Sequence, residues 1–238
     1  MEKQNLVQLL KANPYPGRGI VLGCSPSGQK AVIAYFIMGR SANSRNRVFT
    51  TKGDGIITEA ANPAEMQDPS LIIYAPVKKV GSRTVVTNGD QTDTIADCLA
   101  AGLRFEDALR TRTFEPDAPN YTPRISGLLM QEADGFAYQL SIVKSANGNP
   151  AGTQRFFFDT PQPQPGEGHF IHTYAGDGNP LPSFIGEPVL VETGEDIDAF
   201  GEGIWQALNA ENKVALFVRF IAQDGSEETR IYNRFTKQ

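Results

Sequence analysis

A succession of short apolar segments constrains the fold of this chain more than any other feature. The segments are rich in Val, Ile, Phe and Tyr and are separated by Gly, Ser, Asn or Asp, a pattern typical of β-strands joined by turns. In chain order they read GIVLG, AVIAYFIM (31–38), RVFTT, GIIT, LIIYAPV (71–77), RTVVTN (83–88), RISGLLMQ, FAYQLSIV, QRFFF, HFIHTY, PVLVE, VALFVRFIA and TRIYNRF. The last two are predicted to form a hairpin across Gln223-Asp224-Gly225.

Helical patterns are fewer and lie between groups of strand-like segments. Apolar residues spaced three or four apart predict these helices. The helical positions are Leu6, Leu9 and Leu10 before Asn13-Pro14; Ile95, Cys98 and Leu99; the stretch Phe105–Thr111; and Ile197, Phe200, Ile204, Trp205 and Leu208. Many strands with clustered helices indicate an α+β fold with largely antiparallel pairing. The proline-rich segment 161–168 is predicted to be a surface loop, and residues 1–238 are interpreted as one domain.

Charge and cysteine content argue against several classes of protein. A formal net charge of -5 is unlike the basic surface of a nucleic-acid-binding protein, although clustered arginines can still bind one phosphate. No segment approaches the roughly 20 apolar residues of a membrane helix, and the N-terminal sequence is a poor signal peptide. The two cysteines, Cys24 and Cys98, suit a reducing compartment. We therefore expect a cytoplasmic protein that binds neither nucleic acid nor membrane.

The segment Gly39–Arg47 is the densest group of anion donors in the sequence. It reads GRSANSRNR, so that Arg40, Arg45 and Arg47 are interleaved with Ser and Asn directly after an apolar strand. Arginine binds phosphate or carboxylate in a bidentate manner, and hydroxyl and amide groups can complete the shell. The segment is therefore either an anion-binding loop or a solvated turn between two strands.

The segment Val85–Leu99 combines a strand, a glycine turn and the start of a helix. Backbone N–H groups at a helix start favour anions, but Asp90 and Asp93 occupy the place where a phosphate would lie. Ribose hydroxyls or a ring amide are the better partners for such a site. The alternative is a structural one, in which Asp90 or Thr92 caps the helix.

Two proline-containing loops carry the remaining polar clusters. Thr113–Leu129 contains Glu115, Asp117, Asn120, Tyr121 and Arg124, in which a carboxyl beside an arginine is either a tuned acid or a structural ion pair. Tyr174–Pro188 contains Asp177 and Glu187, which can accept hydrogen bonds from a base or a ribose, or belong to an ordered surface loop.

Metal, phosphate-loop and serine-hydrolase chemistry lack their usual residues. His169 and His172 would lie on opposite faces of one strand, which is a poor start for a metal site. The sequence has no Cys-x-x-Cys pair, no GxxxxGK[ST] loop and no GxSxG elbow. We expect no metal and no cofactor.

Taken in order, four segments resemble the archaeal-type IMP cyclohydrolase family. They are AYFIMGRSANSRNRVF, TNGDQTDTI, FEPDAPNYTPRI and YAGDGNPLPSFIGEP, spread from residue 34 to residue 188. The resemblance implies a four-layer αββα sandwich like that of the N-terminal nucleophile hydrolases. It also implies the dehydrating closure of 5-formamidoimidazole-4-carboxamide ribonucleotide to IMP. The start of the chain, through NPYPGRG, is expected to extend beyond the archaeal core.

The same resemblance implies the residues of the active site. Arg45, Tyr74 and Glu115 would be catalytic, with Glu115 transferring protons and Tyr74 or Arg45 stabilising the oxyanion. The substrate-binding residues would be Arg40, Arg47, Asn88, Asp93, Asn120, Tyr121 and Arg124. The 5′-phosphate is assigned to Arg40 or Arg47, with Arg124 as the remaining candidate. The family loop runs roughly Ser-Arg-Ser-Phe-Pro-Asn-Arg, whereas this chain reads Ser-Ala-Asn-Ser-Arg after Arg40. Arg45 and Arg47 are therefore interchangeable in this assignment.

Two other functions remain open on the sequence. An amide hydrolase of the same fold would need a terminal nucleophile, and Cys24 becomes terminal only if 23 residues are removed. The second is a purine nucleotide-binding protein without turnover. A homo-oligomer is compatible with each of these functions.

Overall fold

The computed structural model describes residues 2–237, and more of these lie in strands than in helices. The strands are β1 (Arg18–Cys24), β2 (Lys30–Met38), β3 (Arg47–Lys52), β4 (Gly55–Ala60), β5 (Val77–Val80), β6 (Arg83–Thr87), β7 (Arg124–Glu132), β8 (Gly135–Ala146), β9 (Asn149–Thr160), β10 (Glu167–His172), β11 (Val189–Glu192), β12 (Lys213–Ala222) and β13 (Glu227–Asn233). The α-helices are α1 (Leu6–Ala12), α2 (Ala42–Arg45), α3 (Gln91–Ala100), α4 (Phe105–Arg110) and α5 (Ile197–Ala207), and Pro63–Glu65 forms one 3₁₀ turn.

Two antiparallel sheets organise these strands. The first has six strands in the order β11-β10-β1-β2-β12-β13, and the second has seven in the order β3-β4-β5-β6-β7-β8-β9. The second sheet follows chain order throughout, whereas the first joins β1 and β2 to strands from the last third of the chain. The predicted α+β class, the antiparallel pairing and the hairpin of β12 and β13 are confirmed.

Apolar side chains are buried in three layers. One core lies between the sheets and includes Ile20 and Tyr35 from the first and Leu129 and Leu140 from the second. The outer face of the first sheet packs against α1 and α5, and the outer face of the second packs against α3 and α4. The architecture is therefore the expected sandwich of two sheets between helical layers, while the likeness to N-terminal nucleophile hydrolases stays a prediction.

Two local predictions are wrong. The segment 71–76 of LIIYAPV is a loop, and only Val77 enters a strand. Pro76 has no N–H to donate, and the Tyr74 N–H donates to Thr58 Oγ1 at 2.8 Å in place of a ladder partner. Asp90 occupies the N-cap position of α3 without a capping hydrogen bond, because its carboxylate binds Arg112 and Arg124. Nor does Thr92 cap α3, since its hydroxyl donates to the Gly89 carbonyl at 3.0 Å.

Candidate active site

A cavity of about 340 Å³ opens at one end of the sandwich, where β1 begins and β2 ends. Its walls come from both sheets and from the loops that join them. The lining residues are Tyr15, Arg18, Met38, Arg40, Ser41, Asn43, Ser44, Arg47, Asp68, Leu71, Ile72, Glu115, Asp117, Asn120, Tyr174 and Leu181. Three of the four polar segments of the sequence therefore meet at one place, together with the segment around Tyr15 and Arg18 and the segment 68–72.

A buried ion pair joins the two sides of this cavity. Arg18 Nη2 lies 3.4 Å from Glu115 Oε2, and the two side chains are only 11% and 3% exposed. Burial raises the pKa of Glu115, although the charges of Arg18 and Arg124 act in the opposite direction. Burial also acts against the charge on Arg18, but the carboxylate of Glu115 and nearby tyrosines outweigh it and raise the Arg18 pKa. A carboxyl whose pKa is raised by burial is thus held beside a permanent cation.

Arg47 adds a second buried guanidinium to the same cavity. Its Nε donates to the Ser44 carbonyl at 2.7 Å and its Nη2 to the Met38 carbonyl at 3.4 Å, and burial lowers its pKa. Within residues 2–237, Arg47 Nη1 and Arg18 Nε are both buried without a hydrogen-bond partner. Unsatisfied buried donors are costly, so two of them in one cavity indicate a site built for an acceptor.

A pair of tyrosines lies next to these arginines. The Tyr35 and Tyr74 hydroxyl oxygens are 2.7 Å apart, and both rings are buried. Burial raises the pKa of Tyr35, as do Tyr74 and the hydrogen bond between them, while Arg18 and Arg47 act in the opposite direction. The pair therefore lies within electrostatic reach of both guanidinium groups.

The rim of the cavity is formed by more exposed residues. Arg40 Nη1 donates to Asp177 Oδ1 at 2.6 Å and to the Gly178 carbonyl at 2.9 Å, and its guanidinium lies 5.2 Å from the centre of the Tyr15 ring. This contact links the arginine-rich loop to the loop that follows β10. Arg40 is 36% exposed, so it is available to a ligand at the cavity mouth.

The loop before β7 supplies the remaining predicted residues. Asn120 lines the cavity, and its Oδ1 accepts from the Leu181 N–H at 3.0 Å. Tyr121 packs edge-on against Phe114, with ring centres 5.6 Å apart, and its φ of 46° lies in the left-handed region. Asp117 accepts from the Thr122 N–H at 2.7 Å and from the Thr122 hydroxyl. These contacts fix the loop that carries Glu115.

Four predicted residues are used elsewhere in the structure. Arg45 donates to the Gly39 carbonyl at 2.9 Å and to Asn212 Oδ1 at 3.0 Å, and it lines a separate cavity beside α2. Asn88 is buried and joins β6 to β7 through the Pro123 carbonyl, the Ile125 N–H and the Gln91 amide. Asp93 is exposed and pairs with Lys78 at 2.6 Å.

Arg124 is the fourth and lies behind Glu115. Its Nη1 donates to Asp90 Oδ1 at 2.6 Å and to Gln91 Oε1 at 2.8 Å, and its Nε donates to the Thr113 carbonyl at 2.9 Å. Its charge still favours the ionised form of Glu115. Arg124 therefore supports the site from outside the cavity.

Sequence reasoning missed Arg18, Tyr15, Tyr35 and Tyr174. Arg18 follows Gly17, whose φ of 79° and close approach to Thr173 and Tyr174 leave no room for a Cβ atom. The sequence signal for Arg18 was a glycine directly before a single arginine at the start of an apolar strand. For Arg47, the signal was the Asn-Arg that ends the family loop, because Asn46-Arg47 is the matching dipeptide in this segment.

The two histidines lie on opposite faces of β10, as predicted. His169 bonds the Tyr138 hydroxyl at 2.7 Å, whereas His172 stacks on Phe170, and burial lowers the pKa of His172 to about 4. The described residues 2–237 contain no group of three or more His, Cys, Asp or Glu side chains arranged to hold a metal ion. None of the helices in that range is long and apolar enough to cross a membrane.

Comparison with known proteins identifies the family. IMP cyclohydrolase from Methanosphaera stadtmanae is 29% identical over 164 residues, which cover 67% of this chain and 73% of the relative. IMP cyclohydrolase from Methanopyrus kandleri is 28% identical over 172 residues, which cover 71% of this chain and 79% of the relative. IMP cyclohydrolase from Methanococcus maripaludis strain C6 is 37% identical over 131 residues, but the match spans only 62% of that relative and 52% of this chain.

A family model described as IMP cyclohydrolase-like protein matches residues 15–225. The match begins at Tyr15, so the expectation that all of NPYPGRG lies beyond the family core is wrong from that residue onward. Arg18 and every other residue that lines the cavity fall inside the matched range. Because the match covers most of the chain, the protein belongs to the IMP cyclohydrolase-like family.

Proposed function

We propose that this protein is an IMP cyclohydrolase that works in the ring-closing direction. The substrate would be 5-formamidoimidazole-4-carboxamide ribonucleotide, and the products IMP and water. The proposal is supported by the family membership and by relatives that carry this name. The single observation that carries it in the structure is the buried Arg18–Glu115 pair beside the unpartnered Arg47 Nη1 in one cavity. The cavity volume of about 340 Å³ is in the range of small-ligand sites.

The reaction joins two groups that already belong to one molecule. The carboxamide nitrogen attacks the formyl carbon, forming a C–N bond and a tetrahedral intermediate whose former carbonyl oxygen carries negative charge. That oxygen leaves as water after gaining two protons, and the carboxamide and formamido nitrogens each lose one. An amide nitrogen is a poor nucleophile, so holding the two groups in contact contributes a large part of the rate.

The residues of the cavity suit this sequence of steps. Glu115 protonates the departing oxygen, since burial raises its pKa and keeps the acid form accessible. Tyr74 lies beside the cavity, within electrostatic reach of Arg18 and Arg47, and is oriented by Tyr35. Either Tyr74 or Arg47 stabilises the oxyanion, and Arg47 takes the role that the family resemblance assigned to Arg45. Arg40 binds the 5′-phosphate at the rim.

The remaining predicted residues have supporting roles in this proposal. Asn120 lines the wall beside the base and ribose, and Tyr121 packs against Phe114 in the same loop. Asn88 and Arg124 hold the strands and the loop behind Glu115. Asp93 lies with Lys78 beside a neighbouring cavity that also contains Tyr74. No step needs a metal or a cofactor, because proton transfer and charge stabilisation are sufficient for a dehydration.

The amide-hydrolase alternative conflicts with the position of Cys24. This residue ends β1, so making it terminal would remove α1 and β1. β1 is an inner strand that pairs with both β10 and β2, and its loss would divide the first sheet. The same cavity would also suit a protein that binds a nucleotide without turnover. A kinetic measurement distinguishes this function from that of an enzyme.

The deciding experiment is to mix the purified protein with the formylated ribonucleotide and to follow IMP by absorbance and mass. IMP should form in proportion to protein, and Glu115→Gln should abolish most of the signal at unchanged fold. Thermal stabilisation by IMP without any ring closure would contradict the enzyme and support the binding protein.

Several expectations about context also belong to the proposal. We place the protein in the cytoplasm, which fits its two free thiols, Cys24 and Cys98. Residues 1–238 are taken as one domain that acts on a small purine nucleotide and binds no nucleic acid. Homo-oligomers are compatible with it, and light scattering would determine the oligomeric state.

A further inference from the structure

We propose that Arg18 is a further catalytic residue, whose guanidinium binds the formyl oxygen while it holds Glu115 beside the same atom. The inference rests on the proposed function and assigns a role to a residue that sequence reasoning did not select. It is carried by the position of Arg18 in the cavity and by its free donor.

Only part of the Arg18 guanidinium is used in the ion pair with Glu115. Nη2 lies 3.4 Å from Glu115 Oε2, whereas the buried Nε has no partner within the described residues. A guanidinium is a planar fork with five N–H donors, so it can hold a carboxylate on one side and an oxygen of the ligand on another. Within the described residues the Arg18 side chain donates only to Glu115 and is 11% exposed, so the ion pair leaves part of the guanidinium available to a substrate.

The backbone around Arg18 is held firmly. The Arg18 N–H donates to Thr173 Oγ1 at 3.1 Å, and its carbonyl accepts from the Thr173 N–H at 3.0 Å. Gly17 permits this approach, because a Cβ atom there would lie 2.3 Å from Thr173 Oγ1 and 2.5 Å from the Tyr174 ring. The strand start that carries Arg18 is thus fixed against the segment that carries Tyr174, as a preorganised donor requires.

The surroundings favour an oxygen of the reacting group over the phosphate as the ligand of Arg18. Glu115 lies against Arg18, and Asp117 lines the same cavity and disfavours a negative charge on Glu115. A phosphate dianion placed there would meet these carboxylates. Arg40, with Ser41 and Ser44 nearby, offers the phosphate a more exposed place.

One guanidinium can then serve both halves of the reaction. As the C–N bond forms, Arg18 stabilises the negative charge that develops on the former carbonyl oxygen. Glu115, held by the same guanidinium, delivers the proton to that oxygen as the C–O bond breaks, and it regains a proton from a nitrogen of the closing ring. The two nitrogens together lose two protons and the departing oxygen gains two, so the step balances.

The test compares Arg18→Gln and Arg18→Lys with Arg40→Gln, a matched loss of one guanidinium at the rim. With the formylated ribonucleotide, we expect Arg18→Gln to lower kcat by roughly 10²–10³-fold with a small change in KM. Arg18→Lys should recover part of this loss, because it restores the charge. Arg40→Gln should raise KM by about 10–100-fold with a small change in kcat, as for a lost charged hydrogen bond.

The pH profile gives a readout that a purely structural Arg18 would not change. The charged and titratable groups that face Glu115 are Arg18, Arg47, Arg124, Asp117 and Tyr174. Arg18 opposes the burial that raises the pKa of Glu115. Without this cation the pKa rises further, so the fall of kcat/KM with increasing pH should move to higher pH in Arg18→Gln and be unchanged in Arg40→Gln.

Binding separates a failure of this proposal from a failure of the proposed function. Ribose 5-phosphate and IMP should each bind wild type and Arg18→Gln nearly equally, which also reports an intact fold, because neither ligand contains the formyl oxygen. Arg40→Gln should bind both ligands more weakly. If Arg18→Gln weakens both ligands as Arg40→Gln does, or leaves kcat and the pH profile unchanged, Arg18 has no role at the reacting atoms. A wild-type protein that binds IMP but forms none from the formylated ribonucleotide would instead reject the proposed function, whereas ring closure by wild type at an unchanged kcat in Arg18→Gln would reject only the role of Arg18.

Discussion

The hydroxyl oxygens of Tyr35 and Tyr74 lie 2.7 Å apart between the two sheets, close to the arginines of the cavity. Tyr35 belongs to β2 and is fully buried, and Tyr74 is its one hydrogen-bond partner in the described part of the chain. Either hydroxyl can be the donor in this contact, and we assign the donor role to Tyr35, which satisfies its buried O–H group. The Tyr74 proton is then free to serve another acceptor, such as an oxyanion in the cavity.

Removing the Tyr74 hydroxyl should therefore slow catalysis more than removing the Tyr35 hydroxyl. We expect Tyr74→Phe to lower kcat by about 10²-fold or more, as for the loss of one oxyanion donor. Tyr35→Phe should lower kcat less, because Tyr74 keeps its proton and loses only its orientation. Tyr138→Phe is the matched control, since it removes a 2.7 Å hydrogen bond to His169 on the same inner layer. Each variant should lose about 1 kcal/mol of unfolding free energy, so kinetics and denaturation together distinguish the roles. Equal kcat in all three variants would contradict a catalytic Tyr74.

Glu115→Gln separates proton transfer from structure. Glutamine preserves the shape of the side chain but cannot deliver a proton, so turnover should fall by about 10²–10⁴-fold while IMP binding changes much less. Glu106→Gln is the control, because Glu106 accepts a hydrogen bond from Gln139 at 3.0 Å outside the cavity. Parallel losses of melting temperature and activity in Glu115→Gln would show that Glu115 is only a structural partner of Arg18.

The pH dependence of the wild-type enzyme tests the same assignment. Burial raises the pKa of Glu115, so its acid form persists to higher pH than that of an ordinary glutamate with a pKa near 4.3. A general acid is active when protonated, and kcat/KM should fall as pH rises through this raised pKa. Glu115→Gln should lack that fall.

Arg40 and Arg45, which lie in the same loop, should differ in their effects on ligand binding and on stability. Arg40→Ala should weaken IMP binding by about 1.5–3 kcal/mol, because it removes a charged hydrogen bond at the rim. Arg45→Ala should lower the melting temperature and leave IMP affinity nearly unchanged, because Arg45 bonds the Gly39 carbonyl and Asn212. Calorimetry and thermal unfolding measure both effects. If Arg45→Ala weakens IMP binding and leaves the melting temperature unchanged, Arg45 contacts the ligand and this assignment is wrong.

Ring closure should continue without metal ions. Turnover should survive exhaustive chelation with EDTA, and His169→Ala should remain within a few-fold of wild type, because His169 bonds Tyr138 on the inner face of β10. A magnesium ion that accompanies the phosphate is the competing possibility. Loss of activity on chelation, restored by one divalent ion, would overturn the metal-free mechanism.

The fold could be predicted further than the site. Continuous apolar runs such as AVIAYFIM identify strands because a strand that is buried on both faces of its sheet carries apolar residues throughout, and β2 follows that run closely. The loop 71–76 was missed because its apolar residues are buried by packing while its backbone is bonded to Thr58. Arg18 and Glu115 were harder still, because 97 residues separate them and only the docking of two sheets brings them together.

Family resemblance supplied Glu115, Tyr74 and the arginine loop, but it could not decide between Arg45 and Arg47. That choice depends on the short helix α2, which directs Arg45 toward Asn212 and leaves Arg47 at the buried start of β3. For Asn88, the family resemblance selected a residue that the structure uses to join two strands. A polar residue in a conspicuous motif proved to be a fully bonded bridge between β6 and β7.

Arg18 begins a strand of the first sheet and Glu115 precedes a strand of the second, so the ion pair that we propose for catalysis forms only when the two sheets have docked. The second sheet is continuous in sequence, whereas the first is complete only after β12 and β13 have joined β1 and β2. A chain with all its hairpins formed but its sheets undocked would have native secondary structure and no catalyst. Enzymatic activity in this protein therefore reports the final docking of the two sheets during refolding, and it should return later than the circular dichroism of the strands.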